Sequence, residues 1–240
     1  MVIDSFGKTD VGSVRSNNED AFLISDRLKL YCIADGIGSL SFGELASKLA
    51  VHSLKMAVEG AQTIQMPLNM SQIMKSLNRT IIDTSEVISP LDGIGTTLTA
   101  FQLVDHNANF VHTGDTSAYY FTKDEAKKIT VDQTVEQMKR NDAKEGIELH
   151  ITEEDHHTLT ACLGMDMMFG PEYYSHLIEE NSAIFLCTDG ATNYISIEEM
   201  HQLFLSGIPS QLCVNEIITL ANSRGGLDNI TAICVKFNSE

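Results

Sequence analysis

The 240-residue sequence predicts an α+β fold with antiparallel β-sheets. Two observations lead to this prediction. Short β-branched or alternating segments, which are typical of strands, recur along the chain, and longer segments with helical periodicity lie among them. The two kinds of segment come in blocks and do not alternate strictly as strand, helix, strand. This arrangement favours antiparallel sheets over a doubly wound parallel sheet.

Local patterns place the individual elements. The first predicted strand, residues 28–34, contains the apolar run from Leu30 to Ala34. Similar patterns predict five more strands, at about 96–104, 109–113, 117–122, 183–188 and 230–237. The first predicted helix, 43–60, has an apolar face that includes Leu49 and Leu54. Helical periodicity predicts four further helices, at about 70–88, 131–142, 194–206 and 210–223.

Residues 142–182 fit neither pattern, and we call them the cover segment. We predict a flap-like, irregular cover with one helical turn inside. Its pair His156-His157 suggests metal ligation, but exposed polar residues beside a helix start are the favoured interpretation, because no partner ligands occur at a suitable spacing. The Met-rich patch at 165–168 suits packing better than a cofactor site. With no repeat or linker visible, residues 1–240 are predicted to form a single domain.

The composition narrows the classes of partner. A formal net charge of −17 disfavours nucleic acid and anionic membranes, because both are bound through Lys and Arg. The five cysteines are widely spaced and mostly lie in apolar runs, which is typical of reduced core residues rather than of disulfides or a zinc site. No signal peptide and no apolar run of about 18 residues are visible, so we expect a cytoplasmic protein.

Three apolar runs meet an aspartate at one end. The first two run into Asp35-Gly36 and Asp189-Gly190, and Asp228-Asn229 opens the third. Strands of this kind bring carboxylates to a sheet edge. Carboxylates that converge repel one another unless cations lie between them, so the pattern predicts hard divalent metal ions. Each aspartate taken alone is equally well explained as a turn residue.

A polar segment near the N-terminus combines the groups that phosphate and metal ions need. Arg15 has a planar guanidinium that can donate two hydrogen bonds to one phosphate. Glu19 and Asp20 can bind a metal ion directly or through water. Taken alone, this segment is also consistent with a surface ion pair. The glycines at 36, 38 and 43 precede a helix, but their spacing matches neither nucleotide-binding pattern.

In order, the motifs are TDVGSVRSNNED (9–20), ADGIGSLSFGELAS (34–47), GTT (95–97), GDT (114–116), TDG (188–190) and DNIT (228–231). This ordered set resembles the bacterial-type metal-dependent Ser/Thr protein phosphatases, the PPM or type 2C family, over about residues 7–237. The resemblance implies a four-layer α-β-β-α sandwich, in which two antiparallel sheets are flanked by helix pairs. It places a metal centre in a cleft at one end.

The resemblance also implies residue roles. Asp35 would bridge two Mg²⁺ or Mn²⁺ ions, with Asp189 and Asp228 completing the shell of one. Glu19 and the carbonyl of Gly36 would hold the other ion, and Asp20 its bound water. Asp115 matches a residue that helps to bind a third metal ion in bacterial members. Arg15 matches the phosphate-binding arginine. The expected catalytic residues are Arg15, Asp35, Asp189 and Asp228.

The implied reaction is hydrolysis of phosphoserine and phosphothreonine by direct attack of a metal-bridging hydroxide, without a phosphoenzyme. The implied partners are phosphorylated proteins, including Hanks-type kinases and their substrates, and we expect a monomer. One alternative within the class is a phosphatase for one dedicated regulator. The alternative from another class is a pseudophosphatase that binds phosphoproteins without turnover.

Several positions depart from the family pattern, and those at Ser39-Leu40 and Ser117 motivate the pseudophosphatase alternative. Ser39 and Leu40 replace a glycine and a histidine, and Ile37 lies where eukaryotic members have a histidine. Thr116-Ser117 follows Asp115 in place of the usual arginine, and Glu180-Asn181 replaces Gly-Asp before the TDG strand. None of these changes removes a predicted metal ligand. They leave the acid for the leaving group unassigned.

Overall fold

Ten strands and seven helices are present in the computed structural model, which describes residues 1–37, 42–66, 68–143, 149–165 and 170–239. The strands are β1 (Val2–Asp10), β2 (Asp20–Ser25), β3 (Leu30–Asp35), β4 (Leu98–Val104), β5 (Asn107–Thr113), β6 (Ser117–Phe121), β7 (Ala126–Lys128), β8 (Glu172–Leu177), β9 (Ser182–Cys187) and β10 (Ile230–Asn238). The helices are α1 (Gly43–Thr63), α2 (Met70–Ile88), α3 (Val135–Asp142), α4 (Glu153–His157), α5 (Asp189–Thr192), α6 (Ile197–Leu205) and α7 (Ser210–Ser223).

The strands form two antiparallel sheets of five. One sheet has the order β1-β10-β9-β6-β7 and the other has the order β2-β3-β4-β5-β8. Every pairing between neighbouring strands in both sheets is antiparallel. This confirms the α+β prediction and its antiparallel sheets.

The two sheets and the helices on their outer faces form four layers. A buried apolar cluster lies between each layer and the next. Between the sheets, Tyr31 and Ile33 of β3 join a buried cluster with Ile233 and Val235 of β10. On the outer side of β3, Leu30, Cys32 and Ala34 pack in a second cluster with α1 and α2. A third cluster joins β9 and β10 to α6 and α7. Alternate residues of β3 therefore face different cores, which explains its continuous apolar sequence.

Two helices begin later than predicted, each directly after a residue whose side chain caps the helix. The third helix begins at Val135, not at 131, because the hydroxyl of Thr134 accepts a hydrogen bond from the amide of Gln137. The fourth predicted helix begins at Ile197, not at 194, because Ser196 and Glu199 form a capping box. Local capping chemistry thus sets these boundaries more sharply than apolar periodicity does.

The sequence prediction missed four strands, β1, β2, β7 and β8. β8 lies inside the cover segment and pairs with β5 at the edge of one sheet. Its burial alternates along Glu172–Leu177, as expected for a strand with one face on the protein. The description of residues 142–182 as irregular is therefore wrong for this stretch. The helix α4 occupies the place of the expected helical turn.

Candidate metal centre

The pairing of β2 with β3 assembles the first group of predicted ligands. Asp20 lies directly opposite Asp35 in the antiparallel register. Just beyond this pair, the amide of Gly36 donates to the carbonyl of Glu19 at 3.1 Å. Four of the predicted site residues therefore meet at one end of two neighbouring strands.

Two threonines of the GTT motif hold the end of β3. The amide of Asp35 donates to the hydroxyl of Thr97 at 2.9 Å. The hydroxyl of Thr96 donates to the carbonyl of Asp35 at 2.8 Å. Both threonines are buried. They support the backbone that carries the Asp35 carboxylate, but both lie just before β4, so the predicted strand 96–104 begins too early.

The second sheet supplies the other carboxylates from two adjacent strands. Asp189 is the first residue of α5, which follows β9 directly, and Asp228 stands two residues before β10. β9 and β10 are hydrogen-bonded neighbours, so their ends lie side by side. The two aspartates thereby come together although they are far apart in the chain.

The buried side chain of Asn229 joins the two groups. Its carbonyl oxygen accepts a hydrogen bond from the amide of Glu19 at 2.8 Å. Its amide nitrogen donates to the carbonyls of Val11 and Asn17, each at 2.9 Å. These three bonds fix the loop that carries Arg15 and Glu19 against the start of β10. Asn229 therefore supports the site through its contacts with the backbone.

Asp20 sits behind the other ligands. It is only 4% exposed, and one carboxylate oxygen accepts hydrogen bonds from the hydroxyls of Thr188 and Thr231. Its other oxygen, Oδ1, is buried without a partner. Burial raises the pKa of Asp20 to about 7. A buried carboxylate oxygen with no donor is costly unless a cation or water reaches it.

Burial and mutual repulsion raise the pKa of the other clustered aspartates as well. Burial raises the pKa of Asp115 to about 8, and repulsion from Asp189 adds to the effect. Burial is also the largest cause for Asp35, whose pKa lies well above its usual range with contributions from Asp20 and Asp189. The pKa of Asp189 is raised by burial and then by Asp228. These side chains therefore lie within electrostatic reach of one another.

The donor set fits hard divalent ions. Within the described ranges, three buried side-chain oxygens lack a hydrogen-bond partner, and two of them are Asp20 Oδ1 and Asp189 Oδ1. Carboxylate oxygens are the ligands that Mg²⁺ and Mn²⁺ prefer. In the same part of the chain, no three acidic, histidine or cysteine side chains form a ready-made cluster for an ion. The assignment of particular ligands to particular ions therefore stays a prediction.

Arg15 contacts one of the predicted ligands. Its Nη2 donates to Asp228 Oδ2 at 2.8 Å, and this hydrogen bond is the main reason why the pKa of Arg15 is raised. The Arg15 side chain is 48% exposed. An exposed ion pair of this kind contributes little stability, so the guanidinium can exchange its partner at small cost.

The predicted residues line one cleft of about 720 Å³. Seven of the eight predicted site residues border it: Arg15, Glu19, Asp35, Gly36, Asp115, Asp189 and Asp228. Asp20 is the exception, because it lies behind this surface. Asp115 also borders an adjoining cavity of about 150 Å³, which it shares with Asp189 and Asp132. The structure thus brings together residues from both sheets.

Sequence reasoning considered His157 only as part of the His156-His157 pair and favoured exposed polar residues, but in the structure His157 borders both cavities. It ends α4, a short helix that begins with a capping box between Thr152 and Asp155. Two ion pairs attach α4 to α3: Lys139 with Asp155 at 2.6 Å, and Glu136 with His156 at 2.5 Å. His156 therefore holds α4 while His157 faces the cleft. The capping pattern at Thr152 was the one sequence signal for this helix.

Further cleft residues were not predicted, and some predicted positions cannot be placed. Asn193, Tyr194 and Leu227 border the cleft beside the aspartates. The altered positions Ser39 and Leu40 lie outside the described residues, as do position 38 and positions 166–168 of the Met-rich patch. Ile37 borders the cleft with an apolar side chain, so it offers no acid for a leaving group.

Clustered carboxylates that call for cations, beside an arginine able to bind phosphate, indicate a metal-dependent phosphatase. Comparison with known proteins gives the family. The family model described as Protein phosphatase 2C matches residues 12–216. The chain belongs to this family, which confirms both the resemblance and the predicted class, a metal-dependent phosphoprotein phosphatase. The family membership gives no support to the pseudophosphatase alternative.

Individual relatives are similar to this protein over nearly the whole length of its chain. The chain is 26% identical to the serine/threonine phosphatase stp of Listeria innocua, over 96% of this chain and 94% of that protein. It is similar to the crystal structure of the Mycobacterium tuberculosis serine/threonine phosphatase PstP/Ppp, with a TM-score of 0.83, 26% identity and full coverage of both chains. A structure of the PstP catalytic domain in complex with two manganese ions matches with a TM-score of 0.82 and 27% identity over 99% of each chain. These matches confirm the four-layer sandwich.

Proposed function

We propose that this chain removes phosphate from phosphoserine and phosphothreonine in proteins, using the cleft bordered by Arg15 and the clustered aspartates. The observation that carries the proposal is the convergence of Asp35, Asp189 and Asp228 on one cleft from two different sheets. The names of the bacterial relatives, serine/threonine phosphatases, support the choice of phosphoproteins as substrates.

Two divalent ions, Mg²⁺ or Mn²⁺, are the proposed cofactors. Asp35 would be shared between them, Asp189 and Asp228 would hold one, and Glu19 with the Gly36 carbonyl would hold the other. Asp115 and Asp189 border the adjoining cavity, which suits a third ion. Bound ions would supply a nucleophilic water near neutral pH and neutralise phosphoryl charge. The two manganese ions of the PstP catalytic domain support this choice of metal.

Arg15 would bind the phosphoryl group of the substrate. Its guanidinium contacts Asp228 in this structure, and its planar fork matches two phosphate oxygens equally well. When Asp228 serves an ion, Arg15 loses its present partner and becomes free for phosphate. Arg15 thus holds the phosphoryl group in place while Asp228 takes part in the metal shell.

His157 would contact the substrate from the cover segment. It borders the cleft as an exposed imidazole at the end of α4, and the two ion pairs to α3 keep α4 in position. An imidazole N–H there can donate to an oxygen of the bound phosphoprotein. His157 therefore gives the cleft a second nitrogen donor in addition to Arg15.

The proposed partners are phosphorylated proteins, including Hanks-type kinases and their substrates, by analogy with the family. We propose that the chain acts in the cytoplasm as a single-domain monomer. Among the described helices, none is both long enough and apolar enough to pass through a bilayer.

The first experiment measures hydrolysis of p-nitrophenyl phosphate and of a phosphothreonine peptide with Mn²⁺, with Mg²⁺ and with EDTA. We expect turnover with either metal and none with EDTA. Absence of turnover, while calorimetry shows that Mn²⁺ binds, would overturn the proposed activity in favour of phosphoprotein binding alone.

A further inference from the structure

Phe42, at the start of α1, has an unusual backbone conformation and lacks a capping side chain. As the N-cap residue it has φ 63° and ψ 38°, in the left-handed region that bulky side chains rarely adopt. Its side chain makes no capping hydrogen bond, a role for which Ser, Asp or Asn is preferred. The side chain is also 56% exposed. Phe42 therefore destabilises the start of α1, at a position that several polar residues would occupy at lower cost.

The other left-handed residues of the described chain do not share this conflict. Five non-glycine residues there have positive φ, and the remaining four are polar: Lys29, Gln65, Asp105 and Asn181. Polar turn residues are common in such positions, whereas an aromatic residue is an outlier. Outliers of this kind concentrate at functional sites, where a side chain is needed despite its conformational cost.

Phe42 lines a groove beside the cleft that holds the predicted metal ligands. The groove has a volume of about 320 Å³ and is bordered by Asn17, Glu19, Phe42, Glu44, Leu45 and Lys48. Leu45, also an apolar residue, is 41% exposed there. Glu19 borders both the groove and the cleft, so the two adjoin at a predicted metal ligand.

Close backbone packing holds Phe42 at a fixed place relative to the metal centre. A Cβ on Gly36 would lie 2.3 Å from the carbonyl oxygen of Gly43, and a Cβ on Gly43 would lie 2.9 Å from Glu19 Oε2. Only glycine permits this approach. The start of α1 is thus seated directly on two predicted site residues, and Phe42 is one residue away.

The charges around the groove disfavour an acidic occupant. The ammonium of Lys48 is paired with Glu44 at 2.5 Å. The remaining charged group on the border, Glu19, is negative. An acidic side chain of a substrate would therefore meet no uncompensated positive charge in this groove, whereas an apolar one would meet Phe42 and Leu45.

We propose that Phe42 and Leu45 form an apolar ledge that binds an apolar side chain next to the phosphoresidue of a phosphoprotein. This inference rests on the proposed phosphatase function and names the sequence context that the cleft selects. Phe42 favours substrate binding because the complex would remove its apolar surface from water.

The test compares kcat/KM for phosphothreonine peptides that carry Leu, Lys or Glu at the flanking positions, with p-nitrophenyl phosphate as the substrate without flanks. We expect the wild-type protein to prefer the Leu peptide. In Phe42→Asn, the ratio of Leu-peptide to p-nitrophenyl phosphate turnover should fall about tenfold, as expected when partial burial of one apolar side chain is lost. Leu45→Ala should lower the same ratio.

A stability measurement separates recognition from damage to the fold. Asn tolerates the left-handed conformation, so Phe42→Asn should melt at the same or a higher temperature than the wild type. Gln65→Asn is the matched control, because Gln65 has φ 54° away from the groove. It should leave the peptide preference unchanged.

Three results would overturn the ledge. One is a Leu preference that survives in Phe42→Asn. The second is a wild-type preference for the Lys or the Glu peptide. The third is an equal loss on p-nitrophenyl phosphate, which would make Phe42 a support of the metal centre. Failure of the wild-type protein on every substrate with Mn²⁺ would instead count against the proposed function, so the two failures can be told apart.

Discussion

At the scale of single residues, the site is defined by carboxylates that are unfavourable without cations. Asp20 and Asp189 each hold a buried oxygen without a partner. Burial and repulsion raise the pKa of four clustered aspartates, Asp20, Asp35, Asp115 and Asp189. Such an arrangement destabilises the metal-free fold, and metal binding would offset this destabilisation.

Asp35→Asn should abolish turnover while the fold survives. Asp35 is the proposed bridging ligand, and an amide cannot replace a carboxylate in that role. We expect kcat to fall roughly a hundredfold or more, with Asp228→Asn behaving alike. Thermal unfolding in EDTA should show no loss of stability, because each change removes one of several mutually repelling charges. Near-wild-type rates of either variant with Mn²⁺ would show that the site is assigned wrongly.

His157→Ala should lower kcat/KM for a phosphothreonine peptide roughly tenfold, about the value of one hydrogen bond. His157→Gln, which keeps an N–H donor, should recover part of the loss. His52→Ala, which changes an exposed histidine of α1 that borders neither cavity, is the control for unspecific effects. If His157→Ala leaves kcat/KM unchanged, His157 does not contact the substrate.

At the scale of elements, a buried polar network positions the turn that carries Asp115. The hydroxyl of Thr99 on β4 contacts His112 Nδ1 on β5 at 2.8 Å and the hydroxyl of Thr116 at 2.7 Å. His112 Nε2 donates to the carbonyl of Val131 at 3.0 Å. Burial lowers the pKa of the imidazole to about 4, so the ring is neutral near pH 7.

This lowered pKa predicts a pH-dependent contribution to stability. The unfolded chain binds a proton at His112 near pH 6.5, whereas the folded chain binds it only near pH 4. Stability from this residue is thus lost as the pH falls below about 6.5. Relative to His112→Gln, the wild-type free energy of unfolding should decrease by about 3 kcal/mol between pH 6.5 and 4. A pH-independent difference in urea titrations would contradict the buried neutral imidazole.

At the scale of the whole molecule, two sheets must pack together before the residues of the proposed metal centre meet. Glu19, Asp20 and Asp35 come from one sheet, and Asp189 and Asp228 from the other. Asn229 connects the two groups through three hydrogen bonds. Metal binding should therefore stabilise the packing of the sheets against each other and raise the global melting temperature.

The gain in melting temperature on adding Mn²⁺ should increase from pH 6.5 to pH 8. The pKa of Asp20 is raised to about 7 and that of Asp115 to about 8, so protons occupy these carboxylates at the lower pH and compete with metal ions. Each raised pKa stabilises the metal-free fold below the unfolded value near 4 and stops doing so as the pH passes 7 to 8. Calorimetric scans with Mn²⁺ and with EDTA measure the difference. A gain that shrinks with pH would contradict proton–metal competition at this site.

The sequence by itself determined the strands with continuous apolar runs, most of the helices, and the ordered motifs that indicated a metal-dependent phosphatase. These features depend on neighbours in the chain: apolar periodicity, turn residues and short motifs. β1, β2, β7 and β8 escaped prediction because polar residues or short length weakened their patterns. Strand pairing with partners far along the chain stabilises them.

Only the tertiary structure decided how the cleft residues come together. The approach of Asp189 to Asp35 follows from the packing of two sheets, and no local pattern encodes it. The same holds for His157, which reaches the cleft because ion pairs attach α4 to α3. It holds also for Phe42, because only the folded structure places its exposed side chain in the groove that Glu19 borders. Long-range packing brings these side chains together, because burial and charge act through space and not along the sequence.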